Sequence, residues 1–251
     1  MKKRGQVTLF IILGVVIVVG ITSLFIFTRG VEEVNTPENL GPRGFIDSCV
    51  KDAVEDSIEK VMAGGGEISP SFTITEKEVE YNYLCHYAGN YYTCYNLHPM
   101  LRKQAEAQIK TDTNDKVQDC FDALREDFEN RGYEVVGNET NYTIEILPGE
   151  VRINLEKSIQ IGTDSVQHFE NFDTKIISSL YDLIKITNDI VRSEAQFCYF
   201  EKNGFMLLYP QYNIIDEEIS EGSVLYQVID RNSNESFKFA VRGCVFPSGL
   251  Y

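Results

Sequence analysis

The chain has 251 residues, 43% hydrophobic and 24% charged, which is enough apolar content for one large core or two modest ones and too much for a disordered chain. Its net charge is −15, and since Lys2, Lys3, Arg4 and Arg29 are the only charges in the first 29 residues, the remainder carries −19. That balance excludes a nucleic-acid partner, because phosphate neutralisation needs clustered cations and the longest basic grouping after Arg29 is the pair Arg102 and Lys103.

Residues 1–6 form a short basic N-terminus, followed by an uncharged, apolar run over 7–28. A helix of that length, at about 1.5 Å per residue, crosses a hydrocarbon core of about 30 Å. The small-residue stretch Val18-Val19-Gly20 is followed by more membrane-compatible sequence, Ile21 to Phe27, so the run reads as a retained anchor rather than a cleaved signal peptide. The cations ahead of it predict a cytoplasmic N-terminus and place residues 30–251 outside the cell membrane.

Residues 29–44, with Pro37, Pro42 and three glycines, read as a linker. Residues 45–132 are expected to form a helical subdomain with a disulfide hairpin. In its first helix Ile46, Cys49, Val50, Ala53, Val54, Ile58, Val61 and Met62 share one face, and Gly64-Gly65-Gly66 stops the pattern. Thr- and Tyr-rich sequence then predicts strands that turn at Ala88-Gly89-Asn90. Pro99 is expected to start a short helix carrying Leu101, Ala105 and Ile109, before a longer one carrying Val117, Cys120, Phe121, Leu124 and Phe128.

Residues 133–251 are expected to form an α+β sheet domain. From Tyr133 the apolar period shortens to two, through Ile144, Ile146, Val151, Ile153, Leu155, Ile159 and Ile161, with a reversal at Pro148-Gly149. Asp173 is expected to begin a helix carrying Ile176, Ile177, Leu180, Leu183, Ile184, Thr187, Ile190 and Val191, and Asn203-Gly204 to form a hairpin turn. Two more strands flank Arg231-Asn232-Ser233-Asn234. The fold class is therefore α+β: an N-terminal transmembrane helix, a stem, and a disulfide-stapled ectodomain of helices on mainly antiparallel sheet.

Six cysteines without a C-x-x-C pair suit an oxidising compartment. Cys85 and Cys94 bracket the hairpin, Cys49 and Cys120 lie on the apolar stripes of two helices, and Cys198 and Cys244 are expected in neighbouring strands, which assigns three bridges. A zinc site from Cys85, His86, Cys94 and His98 competes weakly with the hairpin bridge, so no metal is expected. No catalytic motif is present: His168 with Asp164 and Ser165 is too local for a triad and reads as a surface-loop histidine, and the acidic stretches at 216–221 and 112–115 read as solvated loops rather than calcium sites, the second lacking the loop glycine and terminal glutamate of an EF-hand. No enzyme activity and no cofactor are expected. The sequons at Asn138, Asn141 and Asn234 fall at expected turns or strand starts. Tyr81, Tyr83, Tyr87, Tyr91, Tyr92 and Tyr95 could line a groove for a peptide or glycan.

The opening "KRGQVTLFIILG" resembles archaeal prepilins with class III signal sequences, in which Gly5 would precede the cut and Gln6 would follow it, with Thr8 for the usual Ser. Phe10 and Gly14 stand where that pattern has Glu and Leu, which implies a minor or pilin-like anchored protein rather than a major pilin. Ser48, Cys49, Val50, Lys51, Gly64 and Gly65 are also similar to a helix of archaeal single-span envelope proteins. The resemblance implies a structural or adhesive surface component whose partners are the membrane, a prepilin peptidase and other envelope or pilin-like proteins. An anchored binding or sensor domain is the alternative expectation, and an envelope hydrolase the third.

Overall fold

The computed structural model describes residues 41–245 apart from 139, 164, 220 and 221. The expected anchor, the Gly5-Gln6 junction and nearly all of the linker lie outside the described residues. No described helix is long and apolar enough to cross a membrane. The domain from residue 42 onward is α+β, with three disulfides.

Helix α1, Pro42–Ala63, buries Ile46, Val50, Val54, Ile58, Val61 and Met62 on one face. It starts inside the expected linker, since proline needs no partner for its missing N–H at the first helical position. Gly65 ends it in the left-handed region at φ +64, the next N–H, of Gly66, donates back to Val61 O, and at Gly66 an added Cβ would strike Leu101. Strands β1, Thr73–Glu76, β2, Val79–His86, and β3, Tyr95–Asn96, precede the long helix α2, Leu101–Asn130. Two helices were expected there. The polar stretch around 110–116 does not break the helix because Thr113 takes the inward position between Ile109 and Val117, its hydroxyl donating to the Ile109 carbonyl at 2.8 Å and meeting Tyr142 Oη at 3.0 Å.

Strands β4, Glu134–Gly137, β5, Asn141–Leu147, β6, Glu150–Gly162, and β7, Gln167–Ile177, form an antiparallel sheet centred on β6. One edge of β6 is shared: β5 pairs with residues 150–156 and β4 with residues 159–162. β7 pairs along the other edge, with a bulge between Leu155 and Ser158. The helix expected from Asp173 instead begins seven residues later, at Leu180. Phe172, Thr174 and Ile176 alternate inward against β6, leaving Ile177 84% exposed, so the sheet claims the segment up to 177. Helix α3 spans Leu180–Phe197.

The hairpin expected at Asn203-Gly204 is likewise a helix, α4, Lys202–Leu208, because the Glu201 carboxylate accepts the Gly204 N–H at 3.2 Å and caps it. Strands β8, Tyr212–Glu218, β9, Ser223–Asp230, and β10, Ser236–Arg242, close the second sheet in the order β1-β2-β10-β9-β8, with β3 on β2. The β2–β10 pairing is parallel, so this sheet is mixed rather than antiparallel throughout.

Packing runs across the expected boundary at 132/133. α1 packs against α2, β7 and β10, while α3 touches both sheets, and one apolar core runs from Ile46 to Val241. Cys49 is bonded to Cys120 across the α1–α2 contact, with Cα atoms 5.8 Å apart. Beside that bond, Ser57 Oγ donates to Asp112 at 2.5 Å, and Lys116 pairs with Asp56 and Asp112.

Candidate functional site

The six tyrosines singled out in the sequence do not share a groove. Tyr83, 6% exposed, packs with Leu225 and Ala240 on one face of the mixed sheet, beside Tyr81 and Ile74, and its hydroxyl meets Ser223 Oγ at 2.8 Å. A register shift then sets Val241, rather than a further step of regular pairing, opposite Cys85. Cys85 accordingly joins the main core with Tyr87 packed against it, while the His86 ring stays 4.9 Å from Tyr83. Tyr87, Tyr92 and Tyr95 form their own edge-to-face cluster, with Tyr87 lying 5.6 Å from Tyr92 and 5.9 Å from Tyr95.

This second group is exposed and firmly held. Tyr92 is 66% and Tyr95 68% exposed, and Tyr91 is exposed beside them. Cys85 and Cys94 are bonded across the loop, with Cα atoms 5.4 Å apart. The loop is also stitched to the segment after β10: Tyr87 N–H donates to Arg242 O at 2.8 Å, Tyr91 N–H to Val245 O at 3.1 Å, and Cys244 N–H to Tyr92 O at 2.6 Å. Cys244 in turn is bonded to Cys198, which ends α3 in the left-handed region at φ 57. The pair is therefore a helix end joined to a chain reversal, not two neighbouring strands as expected. The chain neighbours of Cys198, Phe197 and Tyr199, are exposed as well.

A cavity of about 460 Å³ opens beside this bridge, with Tyr199, Phe200, Asp216, Glu218 and Tyr226 among its walls. Glu194 is 8% exposed and accepts the Tyr226 hydroxyl at 2.5 Å. Burial raises the Glu194 carboxyl above its ordinary range, against the lowering effect of that hydrogen bond. Burial and the neighbouring carboxylate also raise the Tyr226 phenol, whose ring stacks on Phe239 at 5.3 Å. Lys202 Nζ donates to Asp216 at the rim. A carboxyl, two rim carboxylates and aromatic faces together suit a cation, by charge and by ring quadrupole.

Glu194 and Tyr226 were not singled out in the sequence. Glu194 does continue the stripe of Ile190 and Val191, and an acid at an inward helical position is a legible signal. The zinc alternative fails because Cys85 and Cys94 are bonded to each other. His98 Nδ1 instead meets Gln104 Oε1 at 2.7 Å. His168 is exposed on β7 rather than in a loop, and Asp164 lies outside the described residues. Residues 112–115 lie within α2, which precludes a calcium loop there, while 220 and 221 of the second acidic stretch fall outside the described residues. Asn138, Asn141 and Asn234 are all exposed: between β4 and β5, at the start of β5, and in the β9–β10 turn. No family model, curated protein or solved structure matches this chain, so the exposed rings around Cys198–Cys244 and the acidic cavity beside them are the features on which a functional reading rests.

Proposed function

We propose that the chain is a membrane-anchored, outward-facing component of the archaeal envelope, pilin-like in its first residues, which makes structural or adhesive contacts through its aromatic end. The carrying observation is the exposure of Tyr91, Tyr92 and Tyr95 on the loop that Cys244 holds by its N–H to Tyr92 O, and of Phe197 and Tyr199 on either side of its disulfide partner Cys198. Aromatic side chains supply large contact area at little entropic cost, and exposed apolar clusters mark interaction surfaces. Three disulfides support an oxidising location, and the uncharged run over 7–28 supports the anchor. The test is native electrophoresis of gently solubilised membranes with the wild-type chain and with Tyr92→Ser/Tyr95→Ser. The proposal predicts a larger assembly that the double variant loses, and a wild-type chain running as a free monomer overturns it.

The buried Glu194 in an aromatic-walled cavity favours a second reading, an anchored domain that binds an amine-bearing ligand such as a lysine-containing peptide. A rise in melting temperature with a lysine-rich peptide, absent in Glu194→Gln, supports it. An equal rise in both chains refutes it.

A further inference from the structure

Away from the aromatic end, the divided edge of β6 creates a different kind of site. β5 stops at Glu156 and β4 begins at Ile159, so neither strand pairs with Lys157 or Ser158. Asn138 fills part of the gap: its Oδ1 accepts the Ser158 N–H at 2.9 Å, and its own N–H donates to Ser158 O at 3.4 Å. A cavity of about 540 Å³ remains there, bounded by this gap and α2.

Its floor holds a lysine where the alternation calls for an apolar residue. Val151, Ile153, Leu155, Ile159 and Ile161 point inward along β6, and Lys157 occupies the same series at 4% exposure. Its ammonium lies over the Phe121 ring, 4.5 Å from the centroid, and donates one hydrogen bond, to Thr140 Oγ1 at 2.6 Å. An ammonium has three donors. Among the described residues no carboxylate forms an ion pair with it, and the remaining donors have no protein acceptor. Burial first, and the nearby Arg125 guanidinium second, hold its pKa below the usual lysine range. Arg125 also lines the cavity and pairs with Asp122 at 3.3 Å. In a chain whose body carries −19, two cations facing one cavity run against the overall charge.

The rest of the lining narrows the ligand. Asn114, Gln118 and Asn138 contribute carboxamides, Thr140 a hydroxyl and Asp115 a carboxylate; Gln118 is held between Thr140 and Asp122, which leaves the Asn138 NH2 group and the Asp115 carboxylate to meet hydroxyls, a lining for a hydroxylated molecule rather than an apolar acid. The volume exceeds what a bare inorganic anion fills. We propose that this cavity binds an acidic sugar, a hexuronate-type residue, with its carboxylate on Lys157 and Arg125 and its hydroxyls on the Asn138 amide and the Asp115 carboxylate. An anion there completes the hydrogen bonding of a buried ammonium, which is worth more than a surface pair because the group is already desolvated.

The full chain in detergent, carrying biosynthetically incorporated lysines labelled with 13C at Cε so that the ammonium keeps all its N–H donors, is titrated with glucuronate, glucose, acetate and inorganic phosphate. Glucuronate is expected to shift the Lys157 signal saturably, with at least tenfold weaker response to glucose and to acetate. Arg125→Gln, at a partly exposed helix position, is expected to keep the fold and weaken glucuronate at least tenfold. Lys157→Met, which keeps the apolar stem over Phe121, is expected to abolish binding with an unchanged circular dichroism spectrum. Phosphate binding as tightly as glucuronate overturns the sugar assignment. No saturable glucuronate shift in the wild-type chain, or undiminished binding in Arg125→Gln, overturns the site.

Discussion

Replacing Glu235 with alanine should destabilise the domain by about 3 kcal/mol. Helix α3 has no cap from its own N-cap residue, Ser179. The N–H of that N-cap residue is met from the β9–β10 turn, 56 residues away in sequence, where the Glu235 carboxylate accepts Ser179 N–H at 2.5 Å, Ser179 Oγ at 2.6 Å and Ser178 Oγ at 2.7 Å. The two hydroxyls have other partners, since Ser178 Oγ accepts Leu180 N–H and Ser179 Oγ lies near Ser233 Oγ, so they contribute little to the loss. The backbone N–H has none. A hydrogen bond to a charged acceptor contributes about 1.5–3 kcal/mol, and a negative charge at a helix N-terminus adds roughly 0.3–1. At about 2–4 °C per kcal/mol for a domain of this size, the melting temperature should fall by about 6–12 °C. Glu235→Gln keeps an acceptor without the charge and should cost about 1 kcal/mol. Both variants leave the Asn234-x-Ser236 sequon intact. Thermal unfolding of the full chain in detergent, followed by near-ultraviolet circular dichroism, reads the shift. A Glu235→Ala melting temperature within about 1 °C of wild type would refute the capping role.

Removing the Cys49–Cys120 bridge, which spans 71 residues, should cost about 4.4 kcal/mol, against about 2.6 for Cys85–Cys94, which spans 9, by loop-closure entropy. Urea unfolding of the two double-alanine variants checks the order. The Thr187 hydroxyl is buried without a partner, so Thr187→Val should stabilise the domain by about 1 kcal/mol in the same assay. Glu194 has a raised pKa in the fold, so the folded state holds a proton that the unfolded state releases, and its contribution to stability falls as pH climbs from about 4.5 through the raised value. Glu194→Gln should flatten that decline and raise the melting temperature at neutral pH, as a pH series of melting curves would show.

What the sequence disclosed depended on whether the deciding contacts were local. Helix α1 and the alternating β5 and β6 follow from their own apolar periods, and two of the cysteine pairs from a helical stripe and a turn, whereas Cys198–Cys244 was expected on a strand pairing that the structure does not have. Ile176 and Ile177 fit a helical face as well as a strand, and only pairing with Val151 and Glu150 decides for the strand. Asn203-Gly204 has hairpin composition, but Glu201 uses Gly204 as a helix-capping partner. The parallel pairing of β2 with β10 joins segments more than 150 residues apart and has no local signal. Lys157 was visible as a cation within an apolar alternation. Its meaning became clear only with the gap between β4 and β5.

The contact role of the aromatic end is tested most directly by placing a photocrosslinking amino acid at position 92 in the full chain and irradiating native membranes. A matched probe at Glu145, exposed on β5, serves as the reference surface. The proposed role predicts discrete crosslinks to an envelope component, or to a second copy of the chain, from position 92 and none from position 145. Equal yields at both positions, or no product from position 92, would contradict it.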